Sequence, residues 1–354
     1  MSSWVSRLDK AALLLALLLA SFWLMLVQVP LPFVGGPFQG EDWRRVFHPA
    51  APVTLRGELP YAVVPGAFHP IHLYLFLVWA TPLDGASSHA LWVAVTLGIV
   101  LYAIYLFTPG DIPSVIAVLL SPFLATIVIY GQVTALEVLG MVLLYQALQS
   151  SRNSFELGLA YFILSAVPPN MLLVMLWSMV KAFLIDRAFL IKSVALVAIG
   201  LLSTLLIYGN WISEYRQVAS VAYQFTIPFN LSFWSDSSTY ILGVGLLLLI
   251  VSVTFFYRRE LLGLSLETQM LFVLSSTLLI TPYLERHRLF PVYLLACGYL
   301  SKQNKYWPLL LLVISGVLFL AEHKLLRLMV PAIYTILLLQ LHRMKQNQSE
   351  LIPL

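Results

Sequence analysis

The sequence predicts an all-α, polytopic integral membrane protein with about 12 spans, within a range of roughly 11–13. Three observations carry this expectation. Of the 354 residues, 60% are hydrophobic and only 10% charged, and the mean hydropathy is +0.89; a soluble domain is about a quarter charged. The apolar residues fall in continuous runs near the roughly 17–25 residues that cross a bilayer, where only helices or closed barrels satisfy their backbone groups. The runs do not alternate with period two, which favours helices over a barrel.

The first run, 11–28, follows Arg7 and Lys10. No small-residue cleavage pattern follows it, so it reads as a retained signal anchor with its N-terminus inside. Runs at 69–83, 89–107, 113–130 and 132–149 come next. The run 155–184 is long and is interrupted by Pro168-Pro169-Asn170, giving either one kinked helix or two short ones. The remaining runs are 193–208, 238–256, 262–281, 289–301, 307–321 and 325–342. No repeat or low-complexity linker divides 1–354, so one membrane domain is expected.

The positive-inside rule sets the expected topology. Lys181, Arg187, Lys192, Arg258, Arg259, Lys302, Lys305, Arg343 and Lys345 fall on the inner side, with both termini. The outer face receives 29–68, 209–237 and 281–288. Arg44, Arg45, Arg56, Arg216, Arg286 and Arg288 lie there against the rule. An anionic ligand on the outer face would account for them. The net charge of +4 has no basic stripe interleaved with aromatics, so no nucleic-acid partner is expected. Cys297 stands alone, which excludes an intramolecular disulfide and a multi-cysteine metal site.

Polarity gathers in a few places. In the loop 29–68, Trp43, Val46, Phe47 and Ala50 align at helical spacing, so a short interfacial helix is expected. Asp42 would stand at its start, either as a cap favoured by the helix dipole or as a chemical group. His69 and His72 share a face if helical, but two ligands make an incomplete metal site, and an interfacial hydrogen-bonding or phosphate-contacting role fits better. Gly131-Gln132 interrupts two apolar runs, and Glu137 lies inside the second; an ionisable residue in a span is a functional hypothesis by default. Glu285, Arg286, His287 and Arg288 are consecutive between two runs.

This polarity suits one chemistry. A lipid-linked phosphosugar presents its sugar at a membrane surface, and its lipid phosphate leaves as an anion that Arg or His⁺ stabilises. One carboxylate acting as base on the acceptor hydroxyl then suffices, in contrast to the two that hydrolyse a glycoside.

The motifs also fall in a familiar order. Asp42-Trp43, Phe47, Ala50-Ala51, Gly57 and Pro60-Tyr61 follow the first run. Phe68-His69-Pro70, Gly131-Gln132-Val133-Thr134, Asn230-Leu231-Ser232, and Thr281-Pro282 with His287 come later. In this order they resemble the polyprenyl-phosphate-sugar-dependent glycosyltransferases of the multi-span C class (GT-C), and most of all glycosyltransferase family 87, the mannosyltransferase-like group. The resemblance runs from 42 to about 300 and rests on the order of short motifs. It implies a GT-C-like bundle with Asp42 as the base. Arg44, Arg45, His69, Arg286, His287 and Arg288 are candidate contacts to the donor phosphate and sugar. Tyr61, His72, Gln132, Asn170 and Asn230 would support them. The sequence departs from the family at Pro168, where a lysine is usual, at Thr134 in place of asparagine, and at Val46-Phe47 in place of paired tyrosines. These departures bear on the donor sugar more than on the fold.

The expectation is therefore an inverting hexosyltransferase, with mannose implied by the resemblance. It would use a polyprenyl-phosphate-linked donor and a lipid-linked or cell-envelope glycan acceptor. It would be a multi-pass plasma-membrane protein surrounded by membrane lipids, with its active site facing outwards and neither cofactor nor metal. A transporter or lipid flippase fits the same number of spans but predicts matched halves and more intramembrane charge. A catalytically silent relative is the third reading.

Overall fold

A computed structural model describes residues 10–28, 40–166, 168–225, 231–232, 240–281, 284–321 and 323–350. The fold is 84% helix, with no strand among the described residues. In chain order the helices are α1 (Lys10–Gln28), α2 (His48–Leu55), α3 (Ile71–Leu75), α4 (Gly85–Phe107), α5 (Ile112–Leu119), α6 (Pro122–Tyr130), α7 (Thr134–Gln146) and α8 (Ser154–Leu164). Then come α9 (Pro168–Ile185), α10 (Arg187–Tyr208), α11 (Trp211–Phe225), α12 (Tyr240–Phe256), α13 (Arg258–Gly263), α14 (Leu266–Ile280), α15 (Phe290–Gln303), α16 (Trp307–Ala321) and α17 (Met329–Glu350).

Three stretches among the described residues are long and apolar enough to cross a membrane: α4, α10 and Leu325–Gln346, the last including most of α17. The pair α5 and α6, bent by 45°, makes a fourth if it counts as one broken span. The apolar parts of α1, α7, α8, α9, α12, α14 and α16 are shorter helices of 10–17 residues. The break between α5 and α6 has a local cause. Ser121 caps α6 by accepting from the Leu124 amide, and Pro122 supplies the first helical residue, where its missing N–H is no loss.

The expected twelve spans are not confirmed: three stretches, or four with the bent pair, are long enough to cross a membrane among the described residues. The run 155–184 is two helices, α8 and α9, with Pro168 opening the second. The run 69–83 is not a span: it folds as the five-residue α3 and a 3₁₀ turn over Val78–Ala80. Five helical residues rise about 8 Å, against a hydrocarbon core of about 30 Å. Hydrophobicity was a poor guide here because this stretch is buried against protein. Ile71, Leu73, Tyr74, Leu77 and Ala80 are all fully buried.

Two apolar clusters hold the molecule together. The larger fills the bundle, with Val100, Phe123, Leu144, Tyr161, Leu271, Tyr293 and Leu341 among its members. The smaller lies where the first loop meets the ends of α4, α7, α8 and α11, and centres on Trp43, Phe47, Tyr74, Trp92, Val133 and Trp211. Elsewhere large apolar side chains face outwards, such as Leu206 on α10 and Leu320 on α16, each more than four-fifths exposed. Apolar surface of that extent marks a lipid or protein contact.

Candidate functional site

The site grows from the end of α6. Gly131 sits at φ +72°, the left-handed conformation that glycine adopts without penalty, and its N–H and that of Gln132 both bond the Ile127 carbonyl. A Cβ at Gly131 would stand 2.5 Å from Trp43 Cβ, so the position needs glycine for space as well as for conformation. The Gln132 carbonyl accepts from Trp92 Nε1 at 3.1 Å, which fixes the turn to α4.

The first loop is fastened to that turn. The Gly40 amide donates to the Ile129 carbonyl at 2.5 Å. Trp43 Nε1 donates to Ser88 Oγ at 3.0 Å, and the Trp43 ring stacks on Trp92 with centroids 5.1 Å apart. This seating places Asp42 against Gln132, whose amide donates to the Asp42 carboxylate. Asp42 is itself helical (φ −67°, ψ −36°) and makes no capping bond, so its carboxylate serves Gln132 rather than the helix end.

Elsewhere, residues 231–232 are fastened to Thr281 and Leu284. The Leu231 amide donates to the Leu284 carbonyl at 2.7 Å, and Ser232 Oγ donates to the Thr281 carbonyl at 2.5 Å. Residues Arg286–Leu289 form a 3₁₀ turn packed beside α6. Glu285, just before it, acts electrostatically on Asp42. Its carboxylate also lies 3.3 Å from His287 Nε2, without hydrogen-bond alignment. Arg288 turns inward and pairs with Glu137 of α7, both buried. That pair is only half satisfied: Glu137 Oε2 and Arg288 Nε have no hydrogen-bond partner.

His69 completes the cluster. Its backbone carbonyl accepts from Tyr61 Oη at 2.9 Å, and its amide donates to Tyr74 Oη at 3.3 Å. Its ring lies against Phe68 and Phe47 and is close enough to Arg288 and His287 to feel their charges.

The remaining expected residues are dispersed. His72 leaves His69 for another neighbourhood, with Ser165 Oγ at 3.1 Å and the Phe162 ring alongside, so the two histidines do not converge. Arg286 lies over the Phe319 ring at 5.3 Å. Arg44 is exposed beside Gly85 at the start of α4. Arg45 is 69% exposed and pairs with Glu41 at 2.7 Å, one helical turn away. Asn230 and Pro282 lie outside the described residues, as does the Asn170 side chain. Among the described residues no three His, Cys, Asp or Glu side chains gather as a metal set.

Burial organises the charges. The Asp42 carboxyl is pushed up to about 6, first by desolvation, then by Glu285 and Glu41; Gln132 and Arg45 pull the other way. His69 is held well below the usual imidazole range by burial and by the neighbouring Arg288 and His287. His287 falls to about 3 through burial and Arg286. Arg288 falls to about 10 through burial and remains a cation at neutral pH. The cluster thus holds a basic carboxylate at Asp42, two neutral imidazoles and one buried guanidinium. It can accept a proton at Asp42, while the Arg288 charge is met by Glu137.

Glu137 and Glu285 are absent from the expected donor contacts and are central here. Glu137 had a sequence signal, an acid inside an apolar run, and Arg288 a separate one. His89 had none. It is buried, its Nε2 lies 3.1 Å from the Val128 carbonyl, and its ring packs beneath Gly40 and Gly131.

No family model, no curated protein and no solved structure matches this chain.

Proposed function

We propose that the protein is an inverting membrane glycosyltransferase that moves a hexose, mannose by its resemblance to family 87, from a polyprenyl-phosphate donor. The acceptor is a lipid-linked or cell-envelope glycan at the outer face of the plasma membrane. The observation that carries this reading is the meeting of Asp42, Gln132, Glu285, His287 and Arg288, drawn from three separate parts of the chain.

In this reading Asp42 takes the proton of the acceptor hydroxyl. The acceptor oxygen attacks the sugar C1 from the face opposite the phosphate. The C1–O bond to phosphate breaks, and its electron pair leaves on the polyprenyl phosphate, which needs no proton. Gln132 orients the Asp42 carboxylate, and desolvation makes that carboxylate a stronger base than one in water. Arg288 meets the phosphate by exchanging its Glu137 partner for it, with His69 and His287 as neutral donors beside it. The loops position both substrates, which is much of the work in a transfer of this kind.

The buried Glu137–Arg288 pair is also what a transporter would carry within its bundle, since intramembrane charges pair and mark pathways. One assay separates the readings: sugar transfer by purified protein from polyprenyl-phosphate-[¹⁴C]mannose to a membrane-lipid extract. The expected result is transfer by wild type and a loss of at least about a hundredfold in Asp42→Asn, the low end for removing a general base. Transfer that survives the substitution removes Asp42 from the chemistry. Uptake of the labelled lipid across vesicles without transfer favours the transporter.

A further inference from the structure

A groove of about 680 Å³ runs between α9 and α12 with α14 as its floor, a size typical of built ligand sites. Its walls are apolar: Leu176 and Val180 on α9, Val251 and Phe255 on α12, Phe272 on α14. Arg258 lines one end. Val180, Val251 and Phe255 are each more than half exposed, so the groove is open along its side.

The depth of the groove is informative. On α14 its lining runs from Gln269 to Ser276, about 10 Å of helix. A single leaflet of the hydrocarbon core is about 15 Å deep. The groove therefore holds chains of one leaflet and is shorter than a long polyprenyl tail. It also lies away from the Asp42 cluster. Arg258 precedes the N-terminus of α14, and Glu285 follows its C-terminus, about 22 Å along the helix.

Charge selects the headgroup. The Arg258 guanidinium sits over the Phe255 ring at 5.7 Å, is exposed, and has no carboxylate partner among the described residues. Arg259 follows it, Lys181 follows Val180 on the opposite wall, and Lys345 sits over the ring of Tyr257 at 5.2 Å. Among the described residues near the groove, Asp186 accepts from the Ala188 amide, Glu267 accepts from Tyr145 Oη, and Glu260 is buried.

We propose that this groove is a binding site for an anionic phospholipid, with its acyl chains between α9 and α12 and its phosphate at Arg258. The site rests on the bilayer setting of these helices and is independent of the sugar-transfer reading. It ties α12 to α9 through a lipid, at the end of the bundle opposite the Asp42 cluster.

The test is retention of defined lipids by purified full-length protein, read by native mass spectrometry after detergent exchange. Phosphatidylglycerol and phosphatidylcholine are offered in equal amounts. Wild type is expected to retain phosphatidylglycerol about fivefold better, the share that one cation contributes near an acidic headgroup. Arg258→Gln brings that ratio to about one. Val251→Trp, which fills the exposed wall, lowers retention of both lipids. Both substitutions fall on exposed side chains, so neither removes a buried contact.

Equal retention by wild type overturns the proposal, as does an unchanged ratio in Arg258→Gln or undiminished retention in Val251→Trp. Preference for polyprenyl phosphate over phosphatidylglycerol reassigns the occupant. So does a dimer that Val251→Trp disrupts while lipid retention stays constant. Competition by free glycerol phosphate as strong as by the whole lipid leaves the apolar walls without a role and also overturns it.

Discussion

The two ends of α14 treat charge in opposite ways. Beyond its C-terminus, Glu285, His287 and Arg288 are folded into a packed cluster, and Arg288 is buried with Glu137. Before its N-terminus, Arg258 and Arg259 stay on the surface. A buried guanidinium has lost its water and needs a fixed counter-charge. An exposed one keeps its water and its freedom. The first arrangement fixes its groups in position, and the second presents a cation to whatever anion lies near it.

The largest expected effect lies at the buried pair. Glu137→Leu or Arg288→Leu alone leaves one buried charge uncompensated, which costs about 3–5 kcal/mol. The double substitution removes both charges, and its loss is expected to be smaller than either single one. Denaturant titration in detergent measures this. A double variant as unstable as the sum of the singles would break the contrast between the two ends, because the pair would then not be acting as a pair.

Next comes Gly131→Ala. The left-handed backbone alone costs about 1–2 kcal/mol, and the new Cβ presses on Trp43. A lower thermal midpoint is expected, together with weaker transfer, because the same turn carries Gln132 and seats the first loop. An unchanged midpoint would mean that Trp43 yields freely.

The electrostatic prediction is smaller but more specific. In the proposed mechanism Asp42 is a base only when ionised, so transfer is expected to rise with pH through a limb near 6. Removing the Glu285 charge in Glu285→Gln moves that limb to lower pH without abolishing transfer. The same shift has the opposite sign for stability. The folded protein holds the Asp42 proton more tightly than the unfolded chain does, so this contribution is greatest in acid and is lost as pH rises from about 4 to about 6. A pH–rate profile for both proteins measures the limb. Loss of transfer in Glu285→Gln as deep as in Asp42→Asn would make Glu285 a second reacting carboxylate and would sink the inverting mechanism.

The smallest effects belong to the exposed arginines. Arg45→Gln gives up a surface pair worth about 0–1 kcal/mol. Arg286→Gln gives up a cation–π contact of about 0.5–1 kcal/mol with Phe319. Neither is expected to alter transfer more than a few-fold, and the same radiolabel assay would expose a larger role for either.

Much of this was legible from residues, and the remainder was not for definite reasons. Asp42, Gln132 and the Glu285–Arg288 stretch each stood out as polarity in an apolar chain. Their assembly did not, because Glu137 and Arg288 are 151 residues apart and composition carries no distance. Arg286 and Arg288 looked alike as neighbours in sequence. A 3₁₀ turn has about three residues per revolution, so residues two apart point in different directions: Arg286 goes to Phe319, and Arg288 goes to Glu137. His69 and His72 separated because the helix begins at Ile71, after His69. The run 69–83 misled because an apolar stretch buried by protein and one bathed in lipid have the same composition.

The way the first loop is tied down has one more consequence. Its fastenings to α4 and α6 are neutral: the Gly40 amide on Ile129, the Trp43 indole on Ser88 and the stack of Trp43 on Trp92. Mobile ions weaken attraction between exposed charges and leave such contacts alone. The seat of Asp42 is therefore indifferent to ionic strength, and added salt acts on exposed charges such as Arg45 and Arg258 while leaving that seat in place.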